Sequence, residues 1–221
     1  MDVPENQAGR DGASSATLDW VKRLQAIAQT GLTYAKDHYD IERYRNVRQI
    51  AAEMLAGSSS GVSPTRLINL FARDVGYATP KVDVRAAVFS DEGLLLVRER
   101  SDAAWTLPGG WADVGDSPSL AAVREVKEES GYDVVARKLA AVYDRDHERH
   151  RHPPMPYHVY KLFFLCETVG GVAKTSMETT DAVSFFAEDR IPRLSLERVT
   201  PQQITHLFDH YRHPEWPTSF D

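Results

Sequence analysis

The chain has 221 residues, 42% of them hydrophobic and 26% charged, the make-up of a folded globular protein with room for one large domain or two modest ones. Its 32 acidic and 26 basic residues leave a net charge of −6, which disfavours a general nucleic-acid binder but not an anionic substrate, since a bound cation reverses the sign of an acidic site. A single cysteine, Cys166, excludes an intrachain disulfide or a cysteine zinc cluster and suits a reducing cytoplasm, and no run approaches the roughly 18–20 apolar residues of a membrane span.

The opening MDVPENQAGRDGASS (1–15) is polar and lacks the apolar centre of a secretory signal, so a disordered tail is expected. Thr17 then caps a helix whose apolar positions, Trp20, Val21, Leu24, Ile27 and Ala28, keep a 3.6-residue period up to Gly31. A second helix is expected from Asp40 to Gly57, with Tyr44, Val47, Ile50, Met54 and Leu55 on one stripe. After the Ser58–Gly61 loop, Ser63-Pro64 pairs a cap with a proline at the first helical position, and Leu67, Leu70, Phe71 and Val75 lead to Gly76. About 60 ordered residues bury apolar surface only marginally by themselves. These stripes therefore call for a partner surface, either the rest of the chain or a second copy.

The pattern changes at Thr79-Pro80. Val82–Phe89 and Leu94–Arg100 read as strands joined by a turn at Asp91-Glu92-Gly93. A helix follows from Ser117-Pro118 to Gly131. Val134–Tyr143, Tyr157–Leu165 and Val183–Ala187 are further strands, and Thr200-Pro201-Gln202-Gln203 is a capping box opening a last helix. The chain thus divides into a tail (1–15), an all-α part (16–78) and an α/β part (79–221).

Glu125, Glu128 and Glu129 stand at i, i+3 and i+4 and so share one helix face, while Ala121, Ala122, Val123 and Val126 offer the other to a sheet. Three carboxylates this close repel one another, and a hard divalent cation such as Mg²⁺ relieves the repulsion through oxygen ligands. Taken alone, three glutamates read more simply as a solvated patch. Just ahead, Leu107-Pro108-Gly109-Gly110 forces a tight backbone course whose carbonyls can join such a site.

Residues 110–132, GWADVGDSPSLAAVREVKEESGY, resemble the Nudix box, G-x5-E-x7-R-E-U-x-E-E-x-G-U, where U is a bulky apolar residue. Gly110, Arg124, Glu125, Val126, Glu128, Glu129, Gly131 and Tyr132 fall in register; the one departure is Asp116 in place of the early glutamate. VDVRAAVF, LLLVRERSDAAWTLPGGWADVG, YKLFFLCETVGG and SFFAEDRIPRLSLERVT extend the likeness over 80–210. The helical start is similar to the N-terminal extension of a Nudix subgroup that includes CDP-choline pyrophosphatases, with relatives labelled ADP-ribose pyrophosphatases.

This resemblance implies an α/β Nudix fold, a mixed sheet sandwiched by helices, preceded by a small all-α domain. It implies a cytoplasmic, Mg²⁺- or Mn²⁺-dependent hydrolase that cleaves the diphosphate of a nucleoside diphosphate linked to another moiety, with a CDP-choline-like substrate favoured. ADP-ribose or a nucleotide sugar is the enzymatic alternative, and a nucleotide-sensing regulator without catalysis the alternative of another class. Glu125, Glu128, Glu129 and the Gly109 carbonyl would hold the metal, and Asp116 would support the loop through Arg124, with Gly110 and Gly131 structural. The base would be a box glutamate or Glu178, which reads equally well as an ordinary loop residue. Arg85 and Arg98 would meet phosphate or lie on the surface, and Trp105 would stack on a base or fill the core. The subgroup also implies a homodimer built by the N-terminal helices. His147, His150 and His152 lack helical spacing and a cysteine partner, so their loop reads as a polar cover over the active site rather than a zinc site.

Overall fold

Nothing between Ala8 and Thr17 stops a helix: the segment holds alanines at 8, 13 and 16 and no proline. In the computed structural model, which describes residues 8–58, 62–150, 152–176 and 178–221, α1 accordingly spans Ala8–Tyr34 instead of starting at Thr17. The rest of the expected tail, residues 1–7, lies outside the described residues. Gly31 does not end α1. A side chain there would meet the Tyr44 ring of α2 (His38–Ser58) at 2.4 Å, so this glycine lets the two helices approach. The cap of α2 is Asp37, not Asp40: its carboxylate accepts the Tyr39 and Asp40 N–H groups at 3.0 and 3.2 Å. Ser63 caps α3 (Pro64–Phe71) as expected, and the helix ends before Gly76. Val21, Ala51, Ala52, Leu55, Leu67 and Phe71 form the core of this unit, Met1–Pro80 with Pro154–His158.

The second unit comprises Lys81–Pro153 and Val159–Asp221. Its elements are β1 (Lys81–Ser90), β2 (Gly93–Glu99), β3 (Trp105–Thr106), β4 (Gly109–Trp111), α4 (Pro118–Ser130), β5 (Tyr132–Asp144), β6 (Val159–Gly171), β7 (Thr180–Phe186), α5 (Pro201–Arg212) and β8 (Ser219–Phe220). The strands run β3-β2-β1-β6-β5-β8, with β4 added to β1 and β7 to β2. β1 and β6 are parallel from Lys81↔Val159 to Val88↔Cys166, while β5 and β6 are antiparallel, so the sheet is mixed. Alternation along β1 dresses both faces. Val84, Ala86 and Val88 pack with Ala121, Ala122 and Val126 of α4; Ala87, with Leu94 and Leu96 of β2, packs with Ile204, Leu207 and Phe208 of α5. The strands that the sequence did not suggest, β3, β4 and β8, are too short to show alternation.

Candidate active site

The helix that carries the glutamates is delimited by local chemistry. Ser117 Oγ accepts the Leu120 N–H, Pro118 takes the first turn, and Gly131 closes α4 at φ 77°. Val126, fully buried, faces the sheet and draws its neighbours inward: the side chains of Glu125 and Glu129 are largely covered, while Glu128 stays open to solvent. Opposite them lies β4, paired with β1 through Arg85↔Gly109 and Val84↔Gly110. Gly109 holds φ 148°, and a Cβ on it would sit 2.0 Å from the Val84 carbonyl oxygen. Its N–H donates to Glu129 Oε2 at 3.0 Å. A Cβ on Gly110 would come within 3.1 Å of Glu125 Oε1. The two glycines therefore form the bed on which two carboxylates rest.

Burial pushes the Glu129 carboxyl up to about 7, against the Arg85 charge and the Gly109 N–H. Glu125 is raised for the same first reason, with Arg124 opposing. Arg124 is the hub of the face. It reaches Asp116, Glu125 and Glu128 at 3.1 Å each and Asp113 at 3.2 Å, the last without hydrogen-bond alignment. The Asp116 pairing is the one the box pattern suggests, made here with the shorter acid. One guanidinium against this many carboxylates leaves an excess of negative charge on oxygen donors that are part-buried and pre-placed. That donor set fits a hard divalent cation, with Glu125, Glu128 and Glu129 as its holders.

The other candidates fall differently. Arg85 is 5% exposed and braces the loop from beneath: it grips Asp83 with Nη2 at 2.7 Å and Nε at 3.1 Å, and the Leu107 carbonyl with Nη1 at 3.1 Å. Lys161 of β6 also bonds Asp83. An arginine committed in this way does not line a groove, because both faces of β1 are covered. Arg98 pairs with Asp181 across β2 and β7 at 2.7 Å and remains partly exposed. Trp105 is half-buried and packs against the core, edge-on to Phe186 at 4.7 Å. Glu178 is exposed on a turn beside Ser176 and Thr179, and Thr180 Oγ1 ties that turn to the Glu129 carbonyl at 3.2 Å. The histidine loop serves α5 and the C-terminal strand: His150 bonds Asp221 at 2.7 Å, and His152 donates to the Leu196 carbonyl at 2.7 Å and accepts from Gln203 at 2.9 Å. Asp83, Lys161, Asp113 and Thr180 went unnoticed in the sequence, where their partners lie far away or carry no motif.

A glycine bed under a helix of i, i+3, i+4 glutamates, on a mixed sheet between two helices, is the arrangement of a Nudix hydrolase. The NUDIX domain family matches residues 79–208, and the chain belongs to that family. The UDP-X-like, N-terminal oligomerisation domain matches residues 15–71. Over 204 residues, 92% of this chain and 96% of the relative, it is 47% identical to the Bacillus subtilis (strain 168) protein named "Putative ADP-ribose pyrophosphatase YjhB". It is similar to a crystal structure titled UDP-X diphosphatase, at 33% identity and TM-score 0.60 over 94% of this chain and 99% of that one. It is also similar to an ADP-ribose pyrophosphatase of Streptococcus suis 89-1591, at 39% identity and TM-score 0.58 over 65% of this chain and all of that one. No helix among the described residues is long and apolar enough to cross a membrane.

Proposed function

We propose that this enzyme hydrolyses the diphosphate bridge of a nucleoside diphosphate joined to a second moiety. Water adds across one P–O–P linkage: its hydroxyl goes to one phosphorus and its proton is accounted for on the released phosphate. The products are a nucleoside monophosphate and a phosphorylated partner. The observation that carries this reading is the pair of carboxylates, Glu125 and Glu129, seated on Gly110 and Gly109 beside the more open Glu128. Bound there, Mg²⁺ or Mn²⁺ would neutralise diphosphate oxygens and acidify water. The chain's part is to keep the glutamates where the cation needs them. Gly109 N–H orients Glu129, and Arg124 restrains Glu125 and Glu128 from the solvent side. The water proton passes to a carboxylate, either in the box or Glu178 on the turn that Thr180 fastens to Glu129. Glu178→Gln separates the two, since it slows turnover only if the base lies outside the box.

The named relatives favour an ADP-ribose- or UDP-linked substrate, and CDP-choline ranks behind them. A regulator without catalysis is disfavoured because Arg124, Glu125, Glu128 and Glu129 are all kept and brought together. The N-terminal match supports assembly into a homodimer. A panel of ADP-ribose, a UDP-sugar and CDP-choline with Mg²⁺ or Mn²⁺, read as released monophosphate, tests the proposal. Release from none of them would overturn it.

A further inference from the structure

Away from the glutamates, a second group of ligand-type side chains converges at the end of β5. One ring nitrogen each from His147 and His150 and one carboxylate oxygen of Asp221 all lie within 4.8 Å of one another. His150 Nε2 is 2.7 Å and His147 Nδ1 3.9 Å from the same oxygen, Asp221 Oδ1. We infer that these three residues form a second metal site, selective for a transition-metal dication such as Zn²⁺, which fastens the C-terminal strand β8 to the end of β5.

A bare histidine–aspartate hydrogen bond would explain His150 and Asp221; His147 Nδ1 accepts a long bond from the Arg149 N–H at 3.4 Å, which a metal would displace. Both histidines are set in one tight turn, with His147 N–H on the Asp144 carbonyl at 3.1 Å and His150 N–H on the His147 carbonyl at 2.9 Å. The turn thereby aims both rings to one side. The other oxygen of Asp221 accepts the Asp144 N–H at 2.5 Å, so the carboxylate is oriented by backbone and presents Oδ1 alone to the rings. His150 is buried and lies against the Tyr143 ring, with centroids 4.1 Å apart. Ligands held by an outer layer of this kind are what metal centres require. Ligand bonds of about 2.0–2.2 Å place donor atoms about 3.3–3.6 Å apart in a tetrahedron. The close His150–Asp221 pair needs to open, and the His147–Asp221 pair and the two ring nitrogens, within 4.8 Å of each other, need to close, each by well under the width of an atom. Two imidazoles and one carboxylate suit Zn²⁺, Co²⁺ or Ni²⁺, whereas Mg²⁺ prefers the all-oxygen set on α4. Three protein donors leave a place for water. The mechanical consequence is local: Ser219 and Phe220 pair with Ala141 and Val142 of β5, and the metal would lock that short ladder from its far end.

The test is titration of the full chain with Co²⁺ as a spectroscopic probe, with Zn²⁺ thermal shifts alongside. Wild type, His147→Ala, Asp221→Asn and Glu129→Gln are compared. Wild type and Glu129→Gln are expected to give the visible bands of nitrogen-ligated, low-coordinate Co²⁺ and a Zn²⁺-dependent rise in Tm. His147→Ala, at a position one-third exposed, is expected to weaken that binding at least tenfold, and Asp221→Asn to remove the Zn²⁺ rise. Bands that survive unchanged in His147→Ala, or that vanish in Glu129→Gln alone, would overturn the site. So would a wild-type protein that binds no Co²⁺ outside the α4 carboxylates.

Discussion

Glu129 works at the margin between acid and base because it is buried while its charge is opposed only in part. Its carboxyl rises from an ordinary 4.5 to about 7. The folded state therefore holds more protons than the unfolded state between those values, and metal-free stability falls as pH rises from about 4.5 to 7. The contribution is of the order of 3 kcal/mol. Glu129→Gln should abolish that slope, seen as the difference between wild-type and variant Tm at pH 5 and pH 8 in chelator. It should also collapse activity, because a charged ligand is lost; full turnover at low Mg²⁺ would remove Glu129 from the site. Arg124 behaves otherwise. Its side chain and that of Asp116 are each about one-third exposed, and Asp113 stands 3.2 Å away as a substitute. Asp116→Glu should leave activity within a small factor, and Asp116→Leu should cost less than about 1 kcal/mol in denaturant unfolding, as part-exposed ion pairs do. A hundredfold drop for Asp116→Glu would mean that the loop is built around the shorter acid.

Elements report how much could be read in advance. α4 was fully legible, since Ser117-Pro118 and Gly131 are local signals and the glutamate spacing is a property of one helix. Thr200 and Gln203 of α5 were legible for the same reason, and the capping box is present. The brace beneath the site was not. Asp83 and Lys161 meet only because β1 and β6 pair in parallel, and nothing local in the chain announces that register. Arg85 was misplaced on the same account: strand alternation does not reveal that both faces of β1 are covered. The start of α1 was missed because an unbroken polar, alanine-bearing run reads equally well as tail. β4 gives the sharpest test at this scale. A methyl group at Gly109 collides with the Val84 carbonyl at 2.0 Å, in a backbone region that L-residues avoid. Gly109→Ala should therefore push β4 off β1 and cost activity at least a hundredfold, with kcat falling more than KM rises. Near-normal kcat would show that Glu129 does not depend on this strand.

In the helical unit, Val21 and Ala28 point inward, yet Trp20 and Ile27 on the same helix are each 54% exposed and Ile50 is 50% exposed. Exposed aromatic and aliphatic side chains in such number are unusual for a lone unit. Ile27 also lines a groove of about 630 Å³ with Thr30, Tyr34, Tyr44 and Tyr77. A second copy is the occupant that the oligomerisation-domain match favours. If the unit pairs as proposed, the double variant Trp20→Glu, Ile27→Glu should lower the light-scattering mass from dimer to monomer while keeping the helical circular dichroism. A monomeric wild type would refute the dimer.

The parallel ladder from Lys81↔Val159 to Val88↔Cys166 also sets an order of events in time. Everything from Gly109 to Gly131 lies inside the long excursion that this ladder closes, and Phe164 and Cys166 of β6 supply part of the floor on which α4 rests. Such closure is slow beside the formation of the neighbouring helices, whose contacts are closer in sequence. The capacity to capture a cation should thus be acquired late in refolding, after the helical signal has matured. A stopped-flow trace with Mn²⁺ as reporter would show it as a lag. A nascent chain could not then withdraw metal from the cell until its sheet had closed.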